Sequence, residues 1–352
     1  MREGTRDDRA GVADLFTRAE PGFPVERDAY ARQWDWLHWS NAIHPSEILV
    51  GEDERSQIQG HVAMLPVAFS VDGEPTVAGW PCQLMVDERW RHSLLYPAMV
   101  QQLLRFCGSR NYAFAYALVT RPRVLRANSA LGLKPVGEIP VWARPYRPAS
   151  ILGKLLGGAL GKGAAAVAAP LDHLLRVLGA PATRGIVAEE ITRFEPEIDA
   201  LFASTLTPAY RYVAKRDART LNWRFFGLPE RRYRVFVART GGRTAGYVAC
   251  RTMPMQKFTA LAIADIWYDP SVPAAGRALM AAVHRCALAE RVDLAACLIP
   301  RASPIAGLLR KNWFFESPES FTLTVYQPRR SDRYVDTPIT DWHPTWYDHD
   351  YV

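Results

Sequence analysis

Residues 77–88, VAGWPCQLMVDE, and the chain onward to Gly137 decide the fold. The opening run is dense in β-formers, is broken by Gly79 and Pro81, and ends on two acids, Asp87 and Glu88. Residues 89–94, RWRHSL, form a basic turn. In LYPAMVQQLLRFC, residues 95–107, Leu95, Met99, Leu103 and Phe106 recur at three- to four-residue spacing, the period of a helix. YAFAYALVT, residues 112–120, has the length and apolar character of one buried strand, and NSALGLKPVG, residues 128–137, holds a short helix ending at Gly132. The order is strand, basic turn, helix, strand, short helix. A helix entered through a basic turn offers unpaired N–H groups and the positive end of its dipole, which suits a phosphate.

That order resembles the GNAT superfamily of N-acetyltransferases. Residues 2–16, REGTRDDRAGVADLF, look like the family's opening strand, Asp-rich turn and first helix, and GLKPVG at 132–137 looks like its late glycine–apolar pair and following strand. The resemblance implies an α/β fold built on a mixed sheet. It also implies an acyl-CoA, acetyl-CoA or another, as substrate. The pantetheine would run beside Leu84, Met85 and Val86, and the pyrophosphate would sit against Arg89, Arg91, His92, Ser93, Leu94 and Leu95. Where the family has Arg-Gly-x-Gly, this chain has Arg91, His92, Ser93 and Leu94, without the glycine that lets backbone approach a phosphate closely.

The chain also repeats itself. RDAYARQW at 27–34 answers RDARTLNW at 216–223, GHVA at 60–63 answers GYVA at 246–249, QLMVDE at 83–88 answers DIWYDP at 265–270, and GL at 132–133 answers NW at 312–313. Four matches in one order, with an offset that drifts as small deletions would make it, predict a duplicated fold. This resembles the tandem-GNAT arrangement, two GNAT-like domains in one chain. The expected boundaries are residues 1–147 and 186–330 for the two domains, 148–185 for a Gly/Ala/Leu-rich linker, and 331–352 for a docking tail. In each copy a Trp- or Phe-rich helix (Trp34, Trp36 and Trp39; Trp223, Phe225 and Phe226) leads into a hairpin, the second turning on Gly241 and Gly242. Such large aromatics serve as core anchors.

The length, 352 residues, suits two domains, and 49% hydrophobic with 22% charged residues is the composition of a folded protein. Five cysteines without a CxxC pair read as buried thiols in a reducing compartment, and the charged start, Arg2 to Arg9, leaves no apolar leader core, so a cytoplasmic location is expected. The net charge of +7 favours anionic partners such as CoA phosphates, tRNA or acidic lipid headgroups. DNA is not expected among them, and tRNA is disfavoured because no basic-rich arm is visible. In the linker, Leu152, Leu155, Leu156 and Leu160 would form an apolar helix face with Lys154 and Lys162 outside it. Residues 151–178 then either touch a membrane surface peripherally or pack across the domains.

Amide-forming chemistry needs a group that takes a proton from the amine and an N–H facing the developing oxyanion. Asp265 lies between Ala264 and Ile266 on the second copy's fourth strand, where an acid is costly unless paired or used. It is the acid–base candidate, with a structural salt bridge or helix cap as the alternative. The first copy has Gln83 there, which cannot be a base. The late tyrosine that the family often uses to reprotonate the thiolate would fall before Gly132, where RANSA stands. The second copy's turn, DPSVPAAGRAL at 269–279, carries Pro273, which removes an N–H. The eight histidines lack metal-ligand spacing, and no metal site is expected. The expected function is acyl transfer from acyl-CoA to an amine of a small molecule or amino sugar. The alternatives are a non-catalytic GNAT-fold binding protein and a Fem-type aminoacyl-tRNA-dependent transferase.

Overall fold

The computed structural model describes residues 1–22, 25–178, 185–328, 334 and 336–349. The chain divides into two compact units, Met1–Glu138 with Thr322–Asp341, and Ile139–Phe321 with Trp342–Val352.

In the first unit the elements are β1 (Arg2–Glu3), α1 (Arg9–Ala19), α2 (Arg27–Trp39), β2 (Glu47–Glu52), β3 (Ile58–Val71), β4 (Glu74–Val86), α3 (Leu95–Ser109), β5 (Ala115–Val119), α4 (Pro122–Ala130) and the first residues of β6 (Lys134–Pro145). Strands β1 to β4 are antiparallel neighbours in that order, β4 and β5 are parallel, and Thr322–Tyr326 closes the other edge of β5 antiparallel to it. The apolar period read from 95–107 is the buried face of α3, through Met99, Leu103 and Phe106. Close seating of α3 depends on Gly60, where a Cβ would stand 2.8 Å from Met99 Sδ and 2.9 Å from Leu95 Cδ2. Helix α4 ends where Gly132 adopts φ +99°, a conformation that favours glycine.

The second unit takes the rest of β6, then α5 (Pro148–Leu156), α6 (Gly158–Leu178), β7 (Ala188–Ile191), α7 (Glu197–Leu201), β8 (Tyr212–Ala214), α8 (Ala218–Phe226), β9 (Arg234–Thr240), β10 (Arg243–Met255), β11 (Phe258–Tyr268), α9 (Pro273–Ala289), β12 (Leu294–Leu298), α10 (Pro304–Lys311) and the start of β13 (Phe315–Tyr326). Its sheet runs β7, β9, β10, β11, β12 and then Val141–Pro145 of β6, with only β11 and β12 parallel. The β9–β10 turn places Gly241 at φ +56° and Gly242 at +76°, left-handed at both positions as a two-residue hairpin prefers.

The same order of elements therefore appears in both units, but each unit's terminal strand segment comes from the other half of the sequence. Val141–Pro145 pairs with β12, and Thr322–Tyr326 pairs with β5. This moves the expected boundaries. The first unit runs to Glu138, where 147 was expected, and takes in Thr322–Asp341, while Trp342–Val352 goes with the second.

Candidate functional site

In the first unit, β4 and β5 pair only where the middle of β4 meets the start of β5. Gly79 pairs with Ala115, flanked by Ala113 N–H to Val77 O (2.9 Å) and Gly79 N–H to Phe114 O (2.8 Å). Beyond that point β4 runs on to Val86 without β5, leaving a V between them. Half-buried apolar side chains pack on the core of this unit from several elements: Leu84 on β4, Tyr96 on α3, and Val124, Leu125 and Leu131 on and after α4. The Tyr96 hydroxyl reaches Asn128 Oδ1 at 3.3 Å, and burial pushes its phenol up, so it keeps its proton. Asn128 lies in the RANSA segment.

Midway along the free edge, β4 carries one extra residue. His61 pairs with Met85 but Ala63 with Cys82, and Gln83 takes φ +50°. A non-glycine residue is held in that conformation only where its surroundings impose it. Here a buried polar network does so. His61 Nδ1 stands 2.9 Å from the Gln83 carbonyl, and the Trp34 indole donates to His61 Nε2 at 3.0 Å. His38 Nε2 is 2.9 Å from Gln83 Oε1 and its Nδ1 is 2.9 Å from Ser46 Oγ, while the Tyr30 hydroxyl is 3.2 Å from Gln83 Oε1. Burial, with His61 as neighbour, pushes His38 down to about 3, and burial pushes His61 down to about 4. Both imidazoles are neutral above that range. Neither histidine stands out by its spacing in the sequence. The signal available was the match of GHVA with GYVA, which sets His61 opposite Tyr247.

The basic turn after β4 is held together by its own charges. Asp87 accepts from Arg89 (Nε, 3.1 Å) and from Arg18 (Nε, 3.0 Å), and these guanidiniums, Arg89 foremost, hold its carboxyl at about 2 against burial. Arg91 donates to the carbonyls of Ala19 (2.8 Å) and Val86 (3.4 Å), so its charge is fixed at the turn without being neutralised. Ser93 Oγ donates to Trp90 O and accepts from Leu95 N–H, capping α3. His92 is exposed, Leu94 is 82% exposed, Leu95 packs on Gly51 and Gly60, and Met85 is buried under the Tyr30 hydroxyl.

The second unit has a similar V and a bulge of its own, without a left-handed residue. Strands β11 and β12 pair only from Ala260 to Ile263, and the register of β11 slips at Ala264. Its filling is ionic. Asp265 accepts from Arg216 Nε (3.2 Å), Tyr247 Oη (2.6 Å) and Thr345 Oγ1 (2.9 Å), and Arg216 also donates to Asp348 (2.8 Å). Trp342, Trp346 and Tyr347 are buried with them. Burial pushes the Asp348 carboxyl up, with Arg216 opposing. Asp265 is 1% exposed and both its oxygens are engaged, so of its two readings the geometry matches the structural salt bridge. Residues 350–352 lie outside the described residues. At the following turn Asp269 precedes α9, accepting from Ser271 N–H (2.9 Å) and Oγ (2.6 Å).

Residues 148–178 form a hairpin of α5 and α6, crossing closely where Gly161 meets the Gly153 carbonyl. Leu155, Leu156, Leu160 and Val167 are exposed, but Lys154, expected outside, donates to buried Asp293 at 2.5 Å. No helix among the described residues is long and apolar enough to cross a membrane. Side chains of 173–178 and all of 179–184 lie outside the described residues.

No protein-family model matches the chain, and no curated protein does. Solved structures do. A GCN5-related N-acetyltransferase from Anabaena variabilis superposes with TM-score 0.62 at 10% identity, over 93% of this chain and 72% of that one. The fold is that of the GCN5-related N-acetyltransferases. A second such enzyme, from Kribbella flavida, gives TM-score 0.58 at 11% identity over 92% and 70% of the two chains. The Saccharomyces cerevisiae N-myristoyltransferase with bound myristoyl-CoA gives 0.62 at 13% over 94% and 82%. At such identities the likeness concerns the fold.

Proposed function

We propose that this GNAT-fold chain transfers an acyl group from an acyl-CoA to the amine of a small molecule or amino sugar, and that the first unit holds the thioester. The observation that carries this is the V between β4 and β5 with the bulge at Gln83. An extended pantetheine can lie along the free edge of β4, and the N–H of Leu84 faces that edge, where it can stabilise the oxyanion formed when the amine attacks. The Arg89–Arg91 turn and the start of α3 lie at the end of β4, where they would meet the pyrophosphate. Charged acid–base groups are missing from the bulge itself. Gln83 cannot titrate and His38 and His61 are held neutral in hydrogen bonds, so the amine enters uncharged or loses its proton to water.

The second unit serves on this reading as a scaffold of duplicated origin. Its Asp265 anchors the tail through Arg216, and Asp269 stands where a phosphate would have to approach. Thermal denaturation with acetyl-CoA and with longer acyl-CoAs tests the proposal. A ligand at a hundred times its Kd adds about 2.7 kcal/mol, a rise of a few degrees. Thiol release from acetyl-CoA with primary amines or an amino sugar should follow. A shift without any thiol release would favour a non-catalytic binder, and a shift with tRNA alone would favour aminoacyl-tRNA as donor.

A further inference from the structure

We infer that His61 is a positioning residue for acyl transfer: the Trp34 indole locks its imidazole as the Nδ1–H tautomer, and that N–H holds the Gln83 carbonyl so that the Leu84 N–H is aimed into the V. The inference rests on the acyl-transfer reading of the first unit.

The tautomer follows from the partners alone. An indole N–H can only donate, so His61 Nε2 must accept at 3.0 Å. A carbonyl can only accept, so Nδ1 must carry the proton it presents to Gln83 O at 2.9 Å. The direction of Leu84 follows from the strand. Gly79 turns its N–H toward β5, to Phe114 O, whereas Asp87 turns its N–H toward β3, to Gln59 O. With Met85 opposite His61, the backbone of Met85 and Asp87 faces β3, and that of Leu84 faces the edge that β5 has left. In a planar trans peptide the Leu84 N–H points opposite to the Gln83 carbonyl, so whatever holds one aims the other. Gln83 at φ +50° needs such holding. The second unit lacks the device, because Tyr247, at the place of His61, donates to the Asp265 carboxylate instead of to a bulge carbonyl.

The test uses the full chain with acetyl-CoA and primary amines, reading thiol release, together with ¹⁵N imidazole spectra. The wild-type His61 resonances should show the Nδ1–H tautomer, neutral down to about pH 4. His61→Phe should lower kcat at least tenfold with KM for acetyl-CoA within about twofold, the signature of an interaction used in the transition state. His61→Asn, whose amide can donate to the same carbonyl, should recover part of the loss. Trp34→Phe keeps an aromatic side chain in the core and removes the N–H that fixes the tautomer. Its kcat should fall several-fold at an unchanged KM for acetyl-CoA, and its ¹⁵N spectrum should show the Nδ1–H form giving way to a mixture of tautomers. If His61→Phe fails to fold, that variant decides. Unchanged kcat in folded His61→Phe or in Trp34→Phe, or mixed tautomers in the wild type, would overturn the inference while leaving acyl transfer intact. No thiol release by the wild type would instead sink the acyl-transfer reading, and the inference with it.

Discussion

The guanidinium of Arg216 lies 3.2 Å from the carboxylate of Asp265, and neither side chain is open to solvent. The same guanidinium reaches Asp348 at 2.8 Å, so one cation joins the fourth strand of the second unit to the C-terminal segment. An acid held this way fastens the segment to the strand.

Asp265→Asn should therefore leave thiol release from acetyl-CoA within about twofold of wild type. Arg216→Ala strands two carboxylates in the interior and should cost roughly 3–5 kcal/mol of stability. Urea unfolding followed by tryptophan fluorescence measures this, since Trp342 and Trp346 are buried beside the pair. A hundredfold loss of turnover in Asp265→Asn would restore the acid–base role.

Acid should loosen the first unit early. Folded His38 and His61 sit near 3 and 4, below the unfolded value of about 6.5. Between these limits the unfolded chain binds protons that the folded unit refuses, so stability is complete above pH 6.5 and is lost as the pH falls. Each histidine contributes a slope of about 1.4 kcal/mol per pH unit in that window. Urea midpoints measured from pH 7 to 4.5 should fall steeply, and His38→Asn should flatten the curve.

Much of this was legible in the sequence because it is periodic. The β-formers in 77–88, the helix spacing in 95–107 and the Gly241–Gly242 turn are local, and each forms where its pattern places it. The exchange of the last strand segments was not legible, because β6 and β13 carry the same kind of β-pattern whichever edge they join. Nor was the fate of the charges. Asp265, Lys154 and Arg91 look available in one dimension, but Arg216, Asp293 and the Ala19 carbonyl claim them only once the chain is folded. The histidine network was hidden for a related reason: His38 and His61 sit alone in apolar surroundings, and only the fold brings Gln83 between them.

Gly60→Ala tests the seat of α3. Its Cβ would meet Met99 and Leu95 at under 3 Å, an overpacking that costs about 1–3 kcal/mol and lifts the first turn of α3. Affinity for acetyl-CoA should fall several-fold with it. Gly163→Ala, in α6 with nothing within 4 Å of the new methyl, should instead be neutral or stabilising by up to about 1 kcal/mol. Thermal melts and binding titrations of the two variants make the comparison.

The claim that one acyl-CoA binds, in the first unit, is tested most directly by titration calorimetry of acetyl-CoA into the full chain. The expected stoichiometry is one per chain. Arg91→Glu, at the basic turn, should weaken binding at least tenfold, and Arg277→Glu, at the exposed start of α9, should leave it unchanged. Two equivalents per chain, or a loss of affinity in Arg277→Glu but not in Arg91→Glu, would contradict the account.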